Sequence, residues 1–229
     1  MIAIGKKEFV DLFKSIKSLI IIALLLVTSY FSAKYSDILG TAVALTEQEM
    51  KDVYTAGLVF LLIFFGQLFV TSISHDTINK ESHERTMRFL VTRTSRGQIL
   101  FGKFSGVWLF WFSCIFVSFL LISIFSSQFH FLIFSQAIAL LTYQISLTVL
   151  LSVVIHKPSI TMFLGVMIGL LYPIFNFWLM LTTNSWFSWL KFASPYYYLM
   201  ETDYLFLVVF VFSAMILAIA LLVFNRREF

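Results

Sequence analysis

Apolar residues fall along this chain in six long runs, at roughly 18–33, 53–74, 104–126, 131–155, 159–181 and 204–224. A helix needs about 20 mainly apolar residues to cross the hydrocarbon core of a bilayer. Helices satisfy their own backbone hydrogen bonds there, so each run is predicted to be a membrane-spanning helix. The first run is short, and the residues before it extend its helix. The third and fourth are separated only by Ser127, Gln128, Phe129 and His130, which suits a tight hairpin. The pattern predicts an all-α membrane protein with six transmembrane helices in one domain, 1–229.

Between and before the runs, three segments have their own character. In residues 4–17, Ile4, Phe9, Leu12, Phe13 and Ile16 fall near helical spacing, with Lys6, Lys7, Glu8, Asp11, Lys14 and Lys17 filling the remaining surface. That is an amphipathic helix suited to the membrane interface. Residues 75–103 form the longest basic connector. A helix over 76–92, capped by Asp76 or Thr77, is expected there. On it Glu81–Arg85 and Glu84–Arg88 are spaced as (i, i+4) pairs, each worth about 0.2–0.5 kcal/mol when exposed. Met87, Leu90 and Val91 form an apolar patch, and Phe89 takes another face. The helix reads either as a docking element for another protein or as a solvated connector. Residues 182–203 carry Trp186, Trp189, Tyr196, Tyr197 and Tyr198, the aromatic types that seek the membrane–water interface.

Composition agrees with lipid as the solvent. Of 229 residues, 60% are apolar and 12% charged, and 28 are Phe; soluble domains are about a quarter charged. Charge then sets orientation. With the amino terminus inside, 13 of the 16 Lys and Arg residues lie on the cytoplasmic side, and only Lys34, Lys51 and Lys191 lie outside. This is the bias of the positive-inside rule, so both ends are expected in the cytoplasm of a cell-membrane protein. The net charge of +4 thus reports topology and not a nucleic-acid partner. No cleavable signal peptide is expected.

No Asp, Glu, Lys or Arg falls in the middle of a run, which counts against ion-coupled carriers and intramembrane proteases. The polar residues at depth are Gln67, Thr71, Gln136, Tyr143, Gln144 and Asn176. They serve as interhelical hydrogen-bonding groups or as the lining of a pathway. Gly165 and Gly169 make a small-xxx-small pair that permits close helix approach, and Pro173 removes one helix hydrogen bond. Cys114 reads as a small hydrophobe. His75, His83, His130 and His156 lack metal-ligand spacing. Phosphate-loop, zinc-protease and nucleophile-elbow patterns are missing. The chain is therefore expected to be no enzyme and to bind no cofactor itself.

From Glu81 to Lys103 the chain reads ESHERTMRFLVTRTSRGQILFGK. This resembles the membrane subunits of type-2 ATP-binding-cassette (ABC) exporters between their second and third spans: an acidic stretch, Gly-Thr, alternating apolar and acidic residues, a Pro-x-Ser-Arg turn, then apolar-Gly-Lys. Glu84, Thr86, Ser95, Arg96, Gly102 and Lys103 fit. Arg85 stands where Gly is usual, and Arg93-Thr94 replaces the Pro region. Ser194-Pro195-Tyr196-Tyr197-Tyr198 is similar to that family's segment between spans five and six.

The resemblance implies an interfacial elbow helix at 4–17, a coupling helix at 76–92 and short re-entrant external helices within 182–203. It assigns Glu81, Glu84, Arg85, Met87, Arg88, Phe89, Leu90 and Val91 to contact with cytoplasmic ABC ATPase subunits, which carry the ATP and Mg. It implies a second permease subunit, identical or related, and an ATP-driven export of amphipathic or hydrophobic substrates. The small, Phe- and Ile-rich chain looks like permeases of bacterial peptide-toxin export, including phenol-soluble-modulin exporters. The alternative is a non-transporting membrane scaffold or accessory protein that binds a cytoplasmic partner.

Overall fold

A computed structural model describes residues 1–36, 47–182, 185–200 and 204–227. The described residues are helical, with no strand among them. In chain order the helices are α1 (Ile2–Lys14), α2 (Ile16–Lys34), α3 (Glu47–Ser74), α4 (Asn79–His83), α5 (Met87–Arg93), α6 (Arg96–Ser126), α7 (Phe131–Val154), α8 (Pro158–Leu181), α9 (Ser185–Ser188), α10 (Pro195–Met200) and α11 (Leu207–Arg226). One 3₁₀ turn, Trp189–Ala193, lies between α9 and α10, and another, Tyr204–Phe206, leads into α11.

Six helices (α2, α3, α6, α7, α8 and α11) are long and apolar enough to cross a membrane, matching the six apolar runs. Their ends differ from the runs because polar turns extend them. α6 begins at Arg96, eight residues before its apolar stretch, because the Ser95 hydroxyl accepts the Gln98 N–H and so caps its first turn. α8 starts with Pro158, whose missing N–H costs nothing at a helix start. It continues through Pro173. The α6–α7 connection turns at Ser127, with φ 54.

The core forms around α7. In its most apolar stretch 72% of residues are buried, against 28% in α8 and α11. It packs on α3, α6, α8 and α11. α8 lies mainly against α3 and leaves Phe163, Leu171, Ile174 and Phe177 exposed. At one end of the bundle, Phe119 and Phe134 meet edge-on beside the α6–α7 turn, an arrangement favoured by the ring quadrupoles, and Phe129 lies tilted against both. At the opposite end lie α1, the segment from His75 to Ser95 and the last turn of α11, where the functional geometry is concentrated.

Candidate functional site

The segment after α3 folds as two short helices, α4 and α5, and not as the single helix expected over 76–92. The break has a clear local cause. Glu84 caps α4, the Arg85 N–H reaches the Ser82 carbonyl at 3.3 Å, and the Thr86 N–H reaches the Glu81 carbonyl at 2.9 Å. These paired bonds make a Schellman turn, whose C′ residue takes the left-handed conformation and is usually Gly. Arg85 occupies it with φ 61, at a cost of about 1–2 kcal/mol for a residue with a Cβ. Gly, the residue usual here in the pattern that this segment resembles, would adopt the turn without a Cβ penalty. The (i, i+4) pairs expected for Glu81–Arg85 and Glu84–Arg88 straddle the break and do not form as helical pairs.

Glu81 instead turns inward. Its carboxylate lies 3.0 Å from Lys103 Nζ, near the start of α6, and Glu8 of α1 meets the same ammonium at 3.2 Å. Lys103 is 5% exposed, so one buried cation joins three elements. Burial pushes the Glu8 carboxyl above the usual carboxylate range, and Lys103 opposes that rise. The three residues meet because α1 lies directly on α6. A Cβ added at Gly106 would sit 2.6 Å from the Gly5 carbonyl oxygen, and one at Gly5 would sit 2.9 Å from that of Gly102. Only glycines permit this approach.

The start of α4 is held from another side. No residue of the segment caps it: Thr77 donates its hydroxyl to Ser74, and Asp76 makes no cap. Ser152 on α7 supplies the oxygen, accepting the N–H groups of Ile78 at 3.0 Å and Asn79 at 3.2 Å. The buried Asn79 amide donates to Thr161 in the first turn of α8 at 2.6 Å. Along α5, Met87 is fully buried and Leu90 and Val91 pack on the core, so the apolar patch read from the sequence faces the protein's own interior.

What remains outward is Phe89, 75% exposed, with Glu84, Arg85, Arg88, Thr92 and Arg93 around it. A cleft of about 630 Å³ opens beside it, between α1 and α4–α5, lined among others by Glu8, Asp11, Asp76, Glu84 and Phe89.

The polar residues at depth lie in the interior. Gln67 donates to Thr71 and Thr148, and Gln144 donates to the Leu62 carbonyl. Tyr143 and Tyr172 share a hydroxyl contact at 3.1 Å. Asn176 joins Ser194 ahead of α10 and donates to the Tyr172 carbonyl. Gly165 sits against the Thr71 side chain and Gly169 against Leu68, where added Cβ atoms would collide. The structure thus brings Gln67, Thr71, Gln144, Gly165 and Gly169 into α3–α7–α8 packing and sets Asn176 between α8 and the segment ahead of α10. Gln136 lines a small cavity of about 40 Å³ beside Leu62 and Leu199.

Sequence reasoning did not single out Glu8, Asn79, Ser152 or Thr161 as partners of this segment. Lys103 was visible only as part of the Gly-Lys pattern. Among the described residues no cluster of His, Cys, Asp and Glu could hold a metal.

A family model described as ABC-2 family transporter protein matches residues 2–229. No curated protein matches the chain at a significant level. The family match covers the six apolar helices and the two-faced α4–α5 segment together. The chain therefore belongs to the ABC-2 transporter family, as a multi-pass membrane permease subunit of an ABC transporter that associates with an ABC ATPase.

Proposed function

We propose that the exposed face of α4–α5 is where the ATPase docks, and that this chain converts the ATPase's movement into export of an amphipathic or hydrophobic substrate. One observation carries the reading: the segment is two-faced. Its inner face is bonded to α6, α7 and α8 through Glu81, Ile78 and Asn79 and buries Met87, while Phe89, Arg85, Arg88 and Arg93 project outward. An exposed aromatic side chain on a segment with three exposed Arg residues suits an apolar pocket with acidic groups near it, and aromatic and Arg residues are the common anchors of protein interfaces.

ATP and Mg belong to the ATPase in this reading, and the permease contributes no catalytic group. ATP drives export by favouring one arrangement of the spans, since a ligand without differential affinity shifts nothing. The chain's two ends and α4–α5 face the cytoplasm, as the basic-residue bias requires. A second permease subunit, identical or related, covers an exposed apolar face such as that of α8. Peptides and peptide toxins are the substrate class suggested by the apolar, aromatic character of the spans.

The test is co-purification with the ATPase, followed by ATP hydrolysis with and without an amphipathic peptide. Charge reversals Arg85→Glu and Arg88→Glu are expected to weaken assembly or uncouple hydrolysis from transport. If both variants assemble and transport normally, α4–α5 is not the docking face.

A further inference from the structure

Two arginines close a ring of hydrogen bonds around this end of the bundle. Arg96 Nη1, in the first turn of α6, lies 2.9 Å from the Phe224 carbonyl oxygen, 2.6 Å from that of Asn225 and 2.8 Å from that of Arg227. These belong to the end of α11, where a helix leaves carbonyls without intrahelical partners. The helix dipole favours a cation there. Arg227 in turn donates to the Val153 carbonyl at the end of α7, at 2.5 Å. The neighbouring residue, Ser152, accepts the N–H groups that open α4. The ring runs from α4 to α7, from α7 to α11, from α11 to Arg96, and through Thr94 and Ser95 back to α5.

We infer that Arg96 is a positioning residue that makes α4–α5 and the ends of α7 and α11 move as one block. The inference rests on the docking reading above, and it adds the route that movement takes. Chain connectivity and the bonds of Asn79 and Glu81 pass a push on α4–α5 into α6, α7 and α8. The Arg96 contacts pass it directly into the end of α11, and Arg227 ties that end back to α7. Because one nitrogen makes all three contacts, a lysine ammonium, itself a compact triple donor, can substitute for it. Glutamine lacks the charge and the reach.

The experiment measures distances between spin labels in the ATPase-bound complex in lipid, in a Cys114→Ser background, with and without ATP. One pair, Thr92→Cys with Leu222→Cys, spans the Arg96 contacts. The other, Thr92→Cys with Phe31→Cys, runs to the opposite end of the bundle on α2, a helix outside the ring. All three label sites are exposed. With Arg96 present, ATP is expected to shift the Thr92–Phe31 distance and leave the Thr92–Leu222 distance unchanged. Arg96→Gln is expected to make the Thr92–Leu222 distance shift or broaden with ATP, and Arg96→Lys to restore it.

A Thr92–Leu222 shift in the protein with Arg96 intact overturns the inference. So does an ATP-independent Thr92–Leu222 distance in Arg96→Gln, or a lysine variant that behaves like glutamine. If Arg96→Gln does not fold, the native and Arg96→Lys measurements still decide. A Thr92–Phe31 distance that ignores ATP in every variant overturns the coupling reading itself, which separates the two failures.

Discussion

Lys103 and Glu81 face each other across 3.0 Å between the start of α6 and the segment that follows α3, and Glu8 closes on the same ammonium from α1. A buried charge stripped of its partner is destabilising by about 3–5 kcal/mol. Lys103→Met leaves two carboxylates facing each other and is expected to fall in that range, read as a lowered unfolding transition in detergent. Glu8→Gln is expected to cost less, because Lys103 keeps Glu81. Equal transitions for Lys103→Met and the native protein would show that the triad is not a structural joint.

Arg85 holds a left-handed turn that suits glycine. Arg85→Gly is expected to stabilise the segment by about 1 kcal/mol, seen as slower amide exchange across residues 79–93. Arg85→Val, with a β-branched side chain in the same turn, is expected to speed that exchange. The reverse order would place the turn elsewhere.

At the α3–α8 seam, a methyl group at position 165 meets Thr71. Gly165→Ala is expected to lose about 1–3 kcal/mol through overpacking. Adding Thr71→Ala is expected to recover part of the loss, although Gln67 then keeps only its bond to Thr148. Strict additivity of the two changes would mean that the residues are not in contact.

Phe89→Ala tests the outward face. With the side chain 75% exposed, the permease's own thermal stability is expected to change by less than about 0.5 kcal/mol. Retention of the ATPase on affinity purification is expected to fall at least about tenfold, as for loss of an interface anchor worth roughly 2 kcal/mol. A large loss of permease stability would instead place Phe89 in the fold.

How far the sequence reaches is set by what each signal reports. Apolar runs reveal spans because lipid imposes a length and a composition on any helix that crosses it. The same logic fails at Arg85: charges spaced by four residues read as a continuous helix, and the Schellman turn is specified by backbone geometry that Arg adopts under strain. The Gly found there in similar exporters was the one available signal. Lys103 lies at the edge of an apolar run, and nothing in periodicity says which acid answers it. Glu8 is 95 residues away along the chain. Ser152 and Asn79 are ordinary polar residues by type, and only the packing of α7 against α4 makes them a cap and a tie.

Site-specific photocrosslinking tests the central claim most directly. A benzoylphenylalanine introduced at Phe89 and, separately, at Phe131 would be irradiated in membranes containing the ATPase. Both positions are exposed, at opposite ends of the bundle. The expected result is an ATPase adduct from position 89 and none from position 131. An adduct from position 131 alone, or none from position 89 in a complex that purifies intact, would contradict docking at α4–α5.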